Sequence, residues 1–264
     1  MVIDSHRHFW HYTDAEFGWI ADDCLRRDFL PTDCGAMDPC VAVEARQCVE
    51  ETNWLLNLAD KHDFIKGVVG WLPIAADDFA ETLESFFAAK NAEDAKLVGL
   101  RHVVQDEPDD GFILRPGFVR GVRTLLEKGL AYDILVFERH LPNVLKFVDA
   151  LPDDARLVLD HFGKPRDFVS WKRLVGELAK RGNVQCKLSG LVTEVGQVDF
   201  APYLETALEA FGADRLMFGS DWPVVTAHME YGDWKRVVEL FASHLSKSEH
   251  EAVMGGTAER FYKF

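Results

Sequence analysis

The sequence predicts a (β/α)8 barrel in a single domain spanning residues 1–264. Two observations carry this: eight short aliphatic or β-branched runs alternate with segments of helical periodicity, and no glycine-rich nucleotide-binding turn is present. Alternating strands and crossover helices give a parallel sheet. A doubly wound sheet of this length would more usually show five or six strands and open on G-x-G-x-x-G. Neither that pattern nor G-x-x-x-x-G-K-[ST] occurs.

In chain order, the first strand is expected over Val2–Phe9 and is followed by the longest irregular stretch, Trp10 to Pro39. Loops that follow strands build the active face of a barrel, so this stretch is a candidate lid. A strand over Val41–Ala45 then feeds a helix over Glu50–His62, Ile65–Leu72 feeds Asp77–Lys90, and Leu97–Val104 feeds Phe118–Lys128. The fifth to seventh units pair Ala131–Phe137 with Leu141–Leu151, Arg156–Phe162 with Trp171–Arg181, and Val184–Gly190 with Pro202–Phe211. Leu216–Asp221 and Trp234–Leu245 complete the eighth. Each helical segment is amphipathic and long enough to cross back over the sheet. No internal repeat or low-complexity linker interrupts the series.

Composition narrows the function. With 264 residues, 48% hydrophobic and 12% aromatic, the chain has ample apolar material for a large core, which excludes a disordered chain or a disulfide-stapled miniprotein. Twenty-nine basic against 44 acidic residues leave a net charge of −15. Such a surface repels phosphate backbones and anionic lipid headgroups, so neither nucleic acid nor a membrane is an expected partner. Five cysteines without a C-x-x-C pair, and no basic-then-apolar leader, fit a reduced, cytoplasmic setting. No apolar run approaches the ~18 residues of a membrane span.

The chemistry gathers at the expected strand ends. In Asp4-Ser5-His6-Arg7-His8 the two-residue repeat of a strand turns Asp4, His6 and His8 to one face, toward the barrel interior. Paired imidazoles there suit a divalent metal, although H-x-H by itself also fits two histidines satisfied within a strand. Two more aliphatic runs end in polar residues: Leu157-Val158-Leu159 in Asp160-His161, and Leu216-Met217-Phe218 in Gly219-Ser220-Asp221. A carboxylate held beside histidines can take a proton from water. Asp221 is therefore the candidate general base, with a helix N-cap or turn role as its plainer alternative.

Other strand ends supply donors: Glu44, Arg46 and Gln47, then Arg101 and His102, Asp133, and Lys187 with Ser189. This mixture suits a hydroxyl-rich ligand and a developing oxyanion, or else a set of internal salt bridges. Trp10 and Trp222 are candidate ring platforms, with core packing the alternative. Ser220 lacks the second glycine of a nucleophile elbow, and Cys186 reads as a packed strand residue, so serine and cysteine nucleophiles are disfavoured.

The segments DSHRHFW, LRHVVQDE, YDILVFERHLP, LVLDHFGKP, CKLSGLVTE and RLMFGSDWPV resemble, in order, the amidohydrolase superfamily, and within it the sugar-lactonase branch that includes L-fucono- and L-rhamnono-lactonases. The terminal GGTAERFY is similar to that family's closing helix. The resemblance spans nearly the whole chain and implies hydrolysis of a sugar (aldono-) lactone to the aldonic acid. It assigns His6, His8, His161 and Asp221 to the metal-type constellation, with Asp221 activating water and Arg101, His102, Lys187 and Trp222 facing substrate. No lysine ends strand four and no histidine ends strand five, so at most one divalent ion is implied, zinc first. Members of the branch that work without a metal are known, and the histidines would then donate to the carbonyl. Competing readings on the same barrel are a lactonase for an acidic aromatic-degradation lactone, of pyrone dicarboxylate or muconolactone type, a metal-dependent decarboxylase, and a barrel that binds a sugar acid without turnover.

Overall fold

The computed structural model describes residues 1–34, 38–89 and 96–264. The expected eight strands form: β1 (Asp4–Arg7), β2 (Cys40–Val43), β3 (Ile65–Gly70), β4 (Leu97–Val103), β5 (Ala131–Leu135), β6 (Leu157–Leu159), β7 (Val184–Leu188) and β8 (Leu216–Phe218). They make one sheet in sequence order, each parallel to the next. The barrel closes where β1 meets the chain after β8. Arg7 bridges Trp222, the His8 N–H donates to the Trp222 carbonyl at 2.7 Å, and the Asp221 N–H donates to the His6 carbonyl at 2.9 Å.

Between strands lie α1 (Val49–Lys61), α2 (Phe79–Ala89), α3 (Pro116–Glu127), α4 (Leu141–Asp149), α5 (Phe168–Ala179), the short α6 (Leu191–Val195), α7 (Ala201–Phe211) and α8 (Tyr231–Ala242), followed by α9 (Lys247–Glu251) and α10 (Thr257–Tyr262). The expected helices all form within a few residues of their sequence bounds, and α10 realises the closing segment. Lys90, the expected end of the second helix, and residues 35–37 of the candidate lid fall outside the described residues. Among the described residues no helix is long and apolar enough to cross a membrane.

Strand alternation divides the apolar residues into two layers. Cys40 and Ala42, Leu157 and Leu159, Cys186 and Leu188, and Leu216 and Phe218 face the helices, within the large outer core. Val41, Val43, Val158 and Met217 point inward and meet Ile3, Val69 and Ala131 at the barrel floor, which Ala258, Phe261 and Tyr262 of α10 cover. Burying each large apolar side chain contributes about 1.5–3 kcal/mol, so the outer layer fixes the barrel on which the strand-end groups are mounted.

Every strand is shorter than expected, β1 spanning Asp4–Arg7 against the expected Val2–Phe9, and two of them end at the site itself. β6 stops at Leu159 and β8 at Phe218, because the chain then turns away from the ladder: His161 and Phe162 take φ of 53° and 57°, and Asp221 takes 60°. Residues other than glycine seldom occupy this left-handed region, and such positions concentrate at functional sites.

Candidate active site

The inward parity of β1 places His6 at the axis, and His8 follows just beyond the strand. The backbone carbonyl of Val43 lies 2.8 Å from His8 Nδ1, so this nitrogen carries the proton and Nε2 faces the site as a bare lone pair. His161 arrives from the turn after β6 with Nδ1 2.9 Å from the Ser189 hydroxyl. Gly190 sits against that ring: a Cβ there would lie 2.6 Å from His161 Nδ1, and its φ of +64° already favours glycine. Two buried tryptophans pin the turns that carry the site. Trp171 Nε1 donates to the Phe162 carbonyl at 2.7 Å, and Trp234 Nε1 donates to the Gly219 carbonyl at 2.9 Å.

The result is convergence on one oxygen. Asp221 Oδ1 lies 3.4 Å from His8 Nε2, 3.8 Å from His6 Nε2 and 3.9 Å from His161 Nε2. Burial alone would raise the Asp221 carboxyl, but His161 beside it, then His8 and His6, outweigh burial and hold it far below the usual carboxylate range. Burial pushes the His161 imidazole down to about 4 against the opposing pull of Asp221 and Asp160. Burial, and then the Lys187 ammonium, hold His6 well below its ordinary value. At neutral pH the cluster is therefore an ionised carboxylate facing neutral His6 and His161.

Asp4 does not join it. The ladder is irregular between Asp4 and Arg7, and the Asp4 carboxylate accepts from Arg7 Nη2 at 2.8 Å, the Ser220 hydroxyl at 2.6 Å and the His6 N–H at 3.2 Å, tying β1 to the end of β8.

Around the histidines lies a buried charge network. Arg101 Nε donates to Glu44 Oε1 at 2.8 Å and Nη1 to Asp160 Oδ2 at 3.1 Å, while Nη1 stands 3.3 Å from His6 Nε2. Lys187 Nζ reaches Asp133 Oδ2 at 2.5 Å, Asp160 Oδ1 at 3.0 Å and His6 Nδ1 at 3.1 Å. Burial lifts the Glu44 carboxyl to about 7 in spite of Arg101. Burial opposes ionisation of Asp160 too, but Lys187, His6 and Arg101 override it and hold that carboxyl well below its ordinary value. Asp160 immediately precedes His161 in the chain, yet no role follows from its type alone. Its signal is parity: Val158 points inward, so two residues later the side chain does as well.

Above the cluster opens a cavity of about 500 Å3. His8, His161, Asp221 and Arg101 line its depth, and Arg46, Gln47 and Lys164 line its wall. Trp19, Ile20 and Leu25 of the expected lid cover one side. Arg46 is anchored by Glu51 at 2.7 Å and by Glu16 of the lid, which ties this loop to the end of β2. Gln47 Oε1 accepts from the Val103 N–H at 2.8 Å.

Five expected substrate contacts lie elsewhere. Alternation along β4 sends Arg101 inward and His102 outward, where the ring stacks on Phe112 at 4.8 Å and both nitrogens are engaged, by Trp71 and Glu107. Lys187 and Asp133 point inward but sit wholly buried beneath His6. Trp222 packs edge-on against Phe9 and Phe29, and Trp10 against Phe17, Trp19 and Phe29, with Trp10 Nε1 donating to the Arg27 carbonyl at 2.8 Å. The packing alternative describes both tryptophans.

The donor set fits a divalent ion. The ligand atoms of His6, His8 and Asp221 lie within 4.8 Å of one another, as do those of His6, Asp160 and His161, and all are buried. Two imidazoles and a carboxylate are zinc-type ligands, and the Val43 carbonyl already fixes the His8 tautomer such a site requires. Lys187 stands 3.1 Å from His6 Nδ1 and donates to it, which leaves the His6 proton on Nε2; binding an ion through Nε2 would require that proton on Nδ1 instead, facing Asp160 Oδ1 at 3.5 Å.

Known proteins share this chain throughout its length. The family model described as amidohydrolase matches residues 3–264. The chain is 41% identical to L-fucono-1,5-lactonase from Burkholderia multivorans, over 98% of this chain and 95% of the relative. It is 34% identical to L-fucono-1,5-lactonase from Burkholderia ambifaria, over 99% of this chain and 95% of the relative. A crystal structure of an amidohydrolase from Burkholderia multivorans with bound zinc superposes with a TM-score of 0.90 at 40% identity, covering 100% of this chain and 99% of that one. With barrel, strand-end histidines and terminal aspartate all in place, the chain belongs to the amidohydrolase family.

Proposed function

We propose that the protein is a lactonase that opens a sugar lactone, an aldonolactone of the L-fucono type, to its open-chain aldonic acid. The observation that carries this reading is the convergence of His6, His8 and His161 on Asp221 Oδ1 in the depth of the cavity. The 41% identity to an L-fucono-1,5-lactonase supports the substrate class.

Asp221, kept ionised, takes a proton from a water bound in the depth of the cavity as that water attacks the ring carbonyl. The guanidinium of Arg101, which lines the cavity and stands 3.3 Å from His6 Nε2, can donate to the tetrahedral oxyanion in a site shielded from bulk water. As the ring C–O bond breaks, Asp221 returns its proton to the departing alkoxide, so one carboxyl serves both halves of the reaction. A zinc ion, held by His6, His8 and Asp221, supplies Lewis acidity at the carbonyl when bound.

A neutral substrate is favoured over an acidic aromatic-degradation lactone. A dianion calls for clustered unpaired guanidinium groups, whereas Arg101, Arg46 and Lys164 at the cavity are each paired with carboxylates of this chain. Acid release from a panel of aldonolactones, read by pH indicator with and without chelator, tests the reading. Rapid turnover of an L-fucono-type lactone is expected, and silence across the panel with carbon dioxide release from carboxylated phenols would overturn it.

A further inference from the structure

Beneath the catalytic cluster, where the floor is otherwise apolar, a line of polar groups runs from the last helix to His6. Tyr262, which ends α10, is 2% exposed, and its hydroxyl donates to Asp133, 3.0 Å from Oδ1 and 2.9 Å from Oδ2. Asp133 in turn accepts from Lys187 Nζ. Lys187 Nζ hydrogen-bonds Asp133 Oδ2 and His6 Nδ1, the latter at 3.1 Å, and is ion-paired with Asp160 Oδ1 at 3.0 Å. With the ammonium held between Asp133 and His6, the place of Asp133 decides how it meets His6.

Stability gives no reason for this arrangement. Buried ion pairs are commonly no better than well-packed apolar residues of the same volume. The helix that carries Tyr262 is itself firmly seated: the Ile3 N–H donates to the Met254 carbonyl at 2.8 Å just before it, and Arg156 Nη1 donates to the Phe261 carbonyl at 2.9 Å within it.

We propose that Tyr262 is a positioning residue for the reaction: by fixing Asp133 it sets Lys187 against His6 Nδ1, and so fixes the angle at which His6 Nε2 meets His8 and Asp221. This rests on the reading of the His6 cluster as the catalytic centre. Tyr262 never meets substrate, and its effect reaches the chemistry through three hydrogen bonds. The closing helix thereby becomes part of the catalytic architecture as well as a plug for the barrel floor.

The test is Tyr262→Phe in the full chain, which removes one oxygen and keeps the ring packed on Phe261 and Phe264. The expected result is a kcat about tenfold lower with KM within about twofold, the signature of misplacement in place of lost binding. In histidine-15N-labelled protein the His6 ring resonances, identified by their absence from His6→Asn, are expected to move. Asp133→Asn is expected to reproduce both effects. Phe261→Leu, which loosens the same helix without touching the polar line, is expected to leave both at wild-type values. Wild-type kcat with unmoved resonances in Tyr262→Phe would overturn the proposal, and so would equal changes in Phe261→Leu. If the chain opens no lactone, the substrate reading fails while the His6 resonances still decide the positioning role.

Discussion

Two histidines at strand ends, His102 on β4 and His161 after β6, have opposite environments. His102 continues a regular strand, so alternation turns it away from the axis into an aromatic slot where Trp71 and Glu107 occupy both nitrogens. His161 stands where the strand has already ended, in a left-handed turn that swings its ring over the axis with Nε2 toward Asp221. Position at the active end of a barrel is thus insufficient to bring a histidine to Asp221. The local backbone decides, and at β6 it does so by adopting a conformation that costs on the order of 1–3 kcal/mol.

The sharpest way to break this comparison is at the group between the two. Arg101 faces the axis beside His102, and Arg101→Leu leaves Glu44 and Asp160 buried without their guanidinium; a stability loss of about 3–5 kcal/mol is expected by denaturant titration. A variant as stable as wild type would show that the network contributes little. Next, His161→Asn should lower kcat by about 100-fold with a fold unchanged by circular dichroism, and retention of half the activity would remove His161 from the chemistry.

His102→Asn should do the reverse. Loss of the stacked ring and of one buried partner costs about 1–3 kcal/mol of stability, while kcat stays within about threefold. A large loss of kcat without loss of stability would return His102 to the substrate. A further effect concerns pH. A His161 held near 4 in the folded chain, against 6.5 when unfolded, binds fewer protons folded than unfolded between those values. Its contribution is therefore intact above about pH 6.5 and is lost as pH falls toward 4. Melting temperature should decline over that window, and the decline should be shallower in His161→Asn.

Much of this was readable from the chain. The eight apolar runs fix strand number and order, and the aliphatic segments ending in His161 and Asp221 mark two residues that the fold brings together. The strand repeat also places His6 inward. What the residue types could not convey is where a strand stops: Arg156–Phe162 reads as one strand, yet the chain leaves the ladder after Leu159. Strand parity is available in the sequence but has to be applied residue by residue. Arg101 and His102 are neighbours in sequence and lie on opposite faces, and the inward parity of Val158 extends to Asp160, whose residue type alone reveals no role. The contact of Tyr262 with Asp133 joins residues 129 positions apart and has no local signal at all.

The central claim is that Asp221 acts as the base for lactone opening, and the turnover of Asp221→Asn tests it most directly. The amide keeps the shape and loses the ability to take a proton from water. The expected result is a kcat at least about 100-fold lower on the best aldonolactone, with melting behaviour close to wild type. Near wild-type turnover by the amide would contradict the account.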